Sequence, residues 1–174
     1  RMLLRKNDRL SAIELHPEDA RQLARQFEGD FQTRVIELDG WLALGAHVPP
    51  KEKRGLVLVD PPFEEGHEFA RLFQGLLTAH ERWPGGIYAL WYPIKDRKSV
   101  AGFLKNLQAS GIPKILNTEL YIRGPSPEPR LDGSGMIIVN PPYTLADELR
   151  LIFPELARLM QQDKGGFWRV DWIN

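Results

Sequence analysis

The 174 residues include no cysteine, which excludes disulfides, thiolate catalysis and cysteine-based zinc sites. A reducing cytoplasm is the expected location. Net charge is also absent, because 23 Lys and Arg balance 23 Asp and Glu. No global field therefore draws in nucleic acid, and any such contact has to come from local patches. No apolar run approaches the ~18 residues of a membrane span and no signal-peptide pattern opens the chain, so no membrane partner is expected. The four histidines show no ligand spacing, and no metal is expected. Internal repeats and low-complexity tracts are lacking as well. What is there is an ordinary globular composition, 43% hydrophobic and 26% charged. A chain of this length reads as one domain, 1–174, able to bury ~70% of its unfolded surface.

One stretch organises the rest: Gly55-Leu56-Val57-Leu58-Val59-Asp60-Pro61-Pro62-Phe63. Four apolar residues, two of them β-branched, predict a strand buried on both faces. The strand stops at a carboxylate, two prolines and a ring. Asp60 precedes a proline and is pushed towards extended backbone. Pro61 and Pro62 supply no N–H. The turn therefore offers acceptors only, beside the flat ring of Phe63. Acceptors next to an aromatic face suit a planar ligand bearing an amino group, such as adenine. The plain structural alternative is a strand end with a proline turn.

Taken in order, residues 1 to 9 (with Arg1, Arg5, Lys6 and Arg9) read as the last turns of a helix, where cations are favoured. Leu10 to Leu15 reads as a strand. His16-Pro17-Glu18-Asp19 opens a helix that runs to about Phe27 and breaks at Gly29. Arg34 to Leu38 is a strand ending at Asp39-Gly40, and Trp41 to Ala46 a short helix. After Phe63, a helix from about Glu65 to Trp83 carries Phe69, Leu72, Phe73, Leu76 and Leu77 on one face. Ile87 to Tyr92 is a buried strand stopped by Pro93; Asp96 to Ser110 is a helix; Lys114 to Ile122 is a strand. Gly124 to Ser134, with three prolines and two acids, reads as a mobile loop. Met136 to Val139 is a strand. Thr144 and Asp147 form a capping pair before a helix with Leu145, Leu149, Ile152, Leu156 and Leu159 on one side. Phe167 to Ile173 is a final edge strand.

Strands alternating with helices predict an α/β domain with a mostly parallel sheet. Ligands bind outside the carboxyl ends of such strands. Three consecutive strands end in acids, Glu14, Asp39 and Asp60, which right-handed crossovers would place on one rim. Asn140-Pro141-Pro142-Tyr143 looks like the stretch at Asp60. Both have the Asp/Asn-Pro-Pro-aromatic pattern of amino-group methyltransferases that use S-adenosylmethionine. In that fold the motif follows the fourth strand, and three more strands come after it. Only Asp60 leaves enough chain: strands at 87–92, 114–122 and 136–139, the last two able to close the sheet as an antiparallel hairpin. Asn140 to Tyr143 is then a structural turn.

The resemblance becomes specific over Ala12-Ile13-Glu14-Leu15-His16-Pro17, Leu38-Asp39-Gly40, Arg54 to Phe63, Tyr88-Ala89-Leu90-Trp91-Tyr92-Pro93, Gly111 to Leu116 and Ser134 to Pro142. These segments, over nearly the whole chain, resemble the bacterial large-subunit rRNA adenine-N6-methyltransferase J family. That family modifies one adenine in 23S rRNA and has also been linked to the use of external DNA as a nutrient. The resemblance implies a Rossmann-like methyltransferase fold with S-adenosylmethionine as cofactor. It implies that Glu14 holds the ribose hydroxyls, that Asp39 and Gly40 lie against the cofactor's adenine, and that Asp60 is the catalytic acceptor. The family motif ends in tyrosine; Phe63 keeps the stacking face and loses a hydroxyl. The family's first strand with its Gly-rich motif has no counterpart, and Gly133-Ser134-Gly135 is no substitute because it precedes a strand. The chain looks like the C-terminal two-thirds of such an enzyme.

The expected partner is protein-free or early precursor 23S rRNA, bound by a monomer. The N6 amine of adenine is a poor nucleophile because its lone pair is delocalised. The Asp60 carboxylate and the Pro61 carbonyl are the acceptors expected to bind its N–H groups, with Phe63 stacking on the unstacked base. Basic sets for phosphate lie at Arg1/Arg5/Lys6/Arg9, Lys51/Lys53/Arg54 and Lys95/Arg97/Lys98. Residues 51–54 are the favoured set, although they enter the strand at the end opposite Asp60. His67 is read as a surface residue. The alternatives are methylation of a DNA adenine or a protein amide, and an inactive nucleic-acid-binding module.

Overall fold

The structure, a computed structural model, describes residues 1–63, 66–125 and 130–174. It divides into two compact units, Arg1–Val48 and Pro49–Asn174.

In the first unit, β1 (Leu10–Glu14) and β2 (Thr33–Glu37) pair in parallel, from Leu10 opposite Thr33 to Glu14 opposite Glu37. Between them runs α1 (Pro17–Gln26), with Pro17 in its first turn beside Glu18 and Asp19. Proline and acids suit that end because its N–H groups are unpaired and its dipole is positive. Gly29, at φ 78°, takes the left-handed turn that leads back to β2. The second helix, α2 (Gly40–Ala46), follows β2 directly. Residues 1 to 9 are not the helix end expected from their charges. They form isolated turns, and the buried Gln32 amide donates to the carbonyls of Arg5, Lys6 and Asp8 at 2.7, 3.2 and 3.0 Å. Those carbonyls are thereby taken by a side chain instead of a helical ladder.

The second unit comprises β3 (Leu56–Val59), α3 (Glu68–Arg82), β4 (Ile87–Ile94), α4 (Arg97–Ala109), β5 (Ile115–Tyr121), β6 (Gly133–Val139), α5 (Leu145–Met160) and β7 (Phe167–Trp172). Its sheet has the order β3-β4-β6-β5-β7. β3 and β4 are parallel, and β6 is antiparallel to both β4 and β5. β3, β4 and β5 therefore point one way. The β5–β6 connection contains no helix among the described residues, and the two strands pair antiparallel. β7 closes the edge antiparallel to β5.

Burial departs from expectation at β3. Leu56 and Leu58 are 62% and 63% exposed. β3 is an edge strand of this sheet. On that face α5 packs further along, over Leu116, Ile138 and Val170. It leaves an apolar trough of about 280 Å³ lined by Leu56, Ile87, Ala89, Ile138, Pro142 and Leu145. Three boundaries also shift. β4 continues through Pro93 to Ile94, beyond Leu90, the last residue that β3 pairs; a proline is tolerated where one ladder is missing. β6 starts at Gly133, so the end of the expected mobile loop is strand, while 126–129 lie outside the described residues. α3 begins at Glu68, and Glu65 lies outside the described residues. On α5 the inward positions are Leu145, Ala146, Leu149, Phe153 and Ala157, whereas Ile152 and Leu159 are exposed. The two alanines let the helix approach the sheet closely. Thr144 makes no capping bond, because its own backbone is already helical (φ −84°, ψ −16°).

A buried polar network ties the sheet centre together. Glu119 is 1% exposed. It accepts from the hydroxyls of Tyr92 and Tyr121, both at 2.9 Å, and Arg169 stands 3.4 Å away. Tyr92 and Glu119 are both opposite Gly135 in register, one on each flanking strand. The Tyr92 ring reaches Glu119 by crossing over Gly135, where a Cβ would lie 2.1 Å from the ring. Burial and the facing carboxylate push both tyrosines above the ordinary phenol range.

Gly135→Ala is therefore expected to destabilise the protein by about 1–3 kcal/mol through overpacking. Gly102→Ala, in α4 with open space around it, is expected to stabilise it by about 0.5–1 kcal/mol. Urea unfolding midpoints of the two variants check both signs.

Candidate active site

The parallel register ends with Val59 opposite Leu90, so Asp60 emerges from β3 beside Trp91 of β4. β3 ends there because neither of the next two residues has an N–H to give the ladder. Asp60 is exposed, and its carboxylate has no hydrogen bond or ion pair among the described residues. Pro61 is buried, Pro62 exposed and Phe63 half-buried. Phe63 has a φ of 50°, a left-handed conformation that costs a bulky residue about 1–2 kcal/mol. Its ring meets Phe69 edge-on at 5.0 Å and Trp91 at 6.0 Å. Edge-on aromatic pairs return about 0.5–1.5 kcal/mol each, enough to offset that strain. Phe69 in turn contacts Tyr92 at 6.0 Å and Phe103 at 5.2 Å. A continuous aromatic path thus runs from the ring at the rim to the tyrosine bonded to Glu119.

The second Pro-Pro stretch sits elsewhere and behaves differently. β6 is antiparallel, so Val139 lies opposite Tyr88 and Ile115, at the starts of β4 and β5. Asn140 is thus on the opposite rim from Asp60. It also has a positive φ, 52°, which asparagine tolerates. Its side-chain amide donates to the carbonyls of Pro84 and Gly86, both at 2.8 Å. Those bonds fasten the α3–β4 turn and leave no donor for a ligand. Tyr143 is 94% exposed and stacks on nothing among the described residues.

In the first unit, Glu14 and Asp39 stand at the carboxyl ends of two paired parallel strands, so they share a rim. Each has a local structural use. Glu14 Oε1 accepts from the His16 N–H, and Asp39 Oδ1 accepts from the Trp41 N–H as the cap of α2, both at 2.8 Å. The second oxygen of each has no partner among the described residues and is free to accept from a ligand. Gly40 is the first residue of α2.

Lys51, Lys53 and Arg54 precede β3 and Lys114 precedes β5, on the rim opposite Asp60. Lys95, Arg97 and Lys98 follow β4, on Asp60's own rim. Arg1 is paired with Asp30, which the guanidinium holds at a pKa of about 2. Arg9 lies over the Phe31 ring at 5.6 Å. His67 is an exposed residue at the start of α3. The sequence places Trp91 and Tyr92 at the end of a strand beside the site, but shows neither the edge-on contacts of Phe63 with Phe69 and Trp91 nor the path below them. The signal for Trp91 is the register, which places it one residue past the last β3–β4 pair.

A family model described as "Ribosomal RNA large subunit methyltransferase D, RlmJ" matches residues 1–174. The chain is 38% identical over 171 residues to ribosomal RNA large subunit methyltransferase J of Haemophilus influenzae, covering 98% of this chain and 61% of that protein. It is 38% identical over 173 residues to the Escherichia coli protein of the same name, covering 99% and 62%. A crystal structure of a Legionella pneumophila protein superposes with a TM-score of 0.88 at 29% identity, over 97% of this chain and 62% of that one. A Clostridium thermocellum structure, provisionally described as an rRNA methylase, has a TM-score of 0.52 at 13% identity over 79% and 78%, which shows the shared fold alone. The chain spans about 61% of the length of the curated relatives it matches. The match over all 174 residues shows that the chain belongs to the RlmJ family of ribosomal RNA large-subunit methyltransferases.

Proposed function

We propose that the protein methylates the N6 amine of an adenine in 23S rRNA, with S-adenosylmethionine as methyl donor. The single observation that carries this is the Asp60 turn: an exposed carboxylate with no partner among the described residues, then two residues without N–H, then a ring held in place. The names of the curated relatives support the RNA substrate.

The donor set suits the cofactor. Glu14 keeps a carboxylate oxygen for the ribose hydroxyls, Asp39 keeps one for the cofactor's adenine, and Gly40 opens a helix without a side chain in the way. When bound, S-adenosylmethionine supplies an electrophilic sulfonium methyl. The residues at the Asp60 turn act on the amine. The Asp60 carboxylate accepts one N–H and the Pro61 carbonyl the other. Binding both N–H groups favours the pyramidal amine and frees its lone pair for attack. The two prolines supply no competing N–H, so neither acceptor has a donor among the described residues of its own turn. Phe63 receives the face of the unstacked base, returning about 1–3 kcal/mol of the unstacking cost. An unstacked adenine is easier to reach in RNA not yet covered by protein, so protein-free or early precursor rRNA is the proposed form of the substrate. A monomer acting in the cytoplasm completes this reading. No helix among the described residues is long and apolar enough to cross a membrane.

Two experiments test the proposal on a protein-free 23S rRNA transcript. Asp60→Ala is expected to lower kcat at least ~100-fold, the usual loss for one polar group in a reacting site, with its urea midpoint unchanged. Asn140→Ala is expected to lose about 1–3 kcal/mol of stability with its two hydrogen bonds, while folded molecules keep near-normal turnover. Equal loss of turnover in two folded variants would contradict the assignment. In the second experiment, Phe63→Tyr is expected to stay within a fewfold of the parent and Phe63→Ala to lose ~10-fold or more in kcat/KM. A Tyr variant as poor as the Ala variant would exclude stacking.

A further inference from the structure

Past Asp60 the same rim continues over the carboxyl ends of β4 and β5 and the starts of β6 and β7. Strands ~4.8 Å apart make this edge about 19 Å long. Its cations fall into two groups. Three are used by the fold. The Arg97 guanidinium lies 4.9 Å above Tyr121, whose ring stacks on Phe167 at 3.8 Å. Arg130 pairs with the buried Asp132 at 3.0 Å, and Arg169 faces Glu119. The second group, Lys95, Lys98, Arg123 and Lys164, makes no side-chain hydrogen bond or ion pair among the described residues.

The acids nearby are committed to the backbone. Asp96 caps α4 through the N–H groups of Lys98 and Ser99, and its pKa is lowered by the Ser99 hydroxyl and those two amides. Asp163 accepts from the Gly165 and Gly124 N–H groups, which hold its pKa down as well. The fourth acid of these loops, Glu128, lies outside the described residues. Lys98 is placed against the interest of its own helix. It sits in the first turn of α4, where the dipole disfavours cations, and no acid shares that turn. Among the described residues the local electrostatic partner of Lys98 is the Asp96 cap, which Ser99 and two amides already engage, so a lysine on the rim of the proposed site is suited to an external anion.

We infer that Lys95, Lys98, Arg123 and Lys164 form a phosphate track for the RNA strand that carries the target adenine. The track rests on the reading of Asp60 given above and adds how the substrate is gripped. Phosphates running along this edge stay on the rim where the base is received. Phosphates held by Lys51, Lys53, Arg54 and Lys114 would lie at least one β3 length away, roughly 13 Å. That second set is a charge-matched control.

The test is the salt dependence of binding between the 174-residue chain and a protein-free 23S rRNA transcript. Three proteins are compared: the parent, Lys95→Gln/Lys98→Gln/Arg123→Gln/Lys164→Gln, and Lys51→Gln/Lys53→Gln/Arg54→Gln/Lys114→Gln. Each neutralised phosphate contributes about 0.7–0.9 to the slope of log K against log salt. The rim variant is expected to lose about 3 from that slope and to keep its urea midpoint. The opposite-rim variant is expected to keep the parent's slope. Equal slopes in parent and rim variant, or an equal loss in both variants, would overturn the track. A parent that binds RNA without methylating adenine would overturn the proposed reaction, and the slopes would still decide the track. A parent that does not bind RNA would overturn both.

Discussion

The pairing of β4 with its two neighbours is the constraint on which the rest of the second unit depends. On one side the parallel register with β3 ends at Val59 and Leu90, which sets where Asp60 leaves the sheet. On the other, β6 runs antiparallel and puts Gly135 under Tyr92. That glycine is what allows a tyrosine on β4 to bond a glutamate on β5 across an intervening strand. A buried carboxylate with two hydroxyl donors and a nearby guanidinium is satisfied; stripped of them it would be a costly buried charge. The packing above follows, from Tyr92 through Phe69 to Phe63. Rim chemistry and sheet register are thus parts of one connected structure.

The two Pro-Pro stretches show how similar sequences separate by context. Both follow apolar strands, and both contain a residue with positive φ. At Asn140 that residue is the polar one, and its amide is spent on two carbonyls of a turn. At Asp60 the strained residue is the ring, Phe63, and the carboxylate is left unspent among the described residues. Strain carried by an aromatic residue at the edge of a sheet, held by two other rings, fixes a surface for a flat ligand. Strain carried by an asparagine with both donors satisfied fixes a loop.

Much of the element order was legible in the sequence because it follows from local rules. Pro17 with Glu18 and Asp19 starts α1, and the apolar run before Asp60 gives β3 its type. The strand-end position of Asp60 was legible for the same reason: a proline pair ends a ladder wherever it occurs. What depends on neighbours was not legible. Leu56 and Leu58 have the character of buried residues, but nothing in the run says that their face is left open here. Pro93 looks like a stop, yet it lies in strand because β3 has already ended. Glu119 reads as one charge in an alternating strand; its burial needs Tyr92, Gly135 and Arg169, which come from three other segments. Thr144 and Asp147 have the spacing of a cap, but the Thr144 backbone is already helical. The grouping of basic residues by rim required the strand directions, and β6 and β7 run against the other three.

The claim at the centre of this account is that the target adenine lies against Phe63 with its amine at Asp60. Photocrosslinking measures this directly, using a protein-free 23S rRNA transcript that carries 8-azidoadenosine, followed by mass spectrometry of the attached peptide. The account predicts attachment at Phe63 or at Trp91 beside it. Attachment confined to Tyr143 and its neighbours, on the opposite rim, would contradict it.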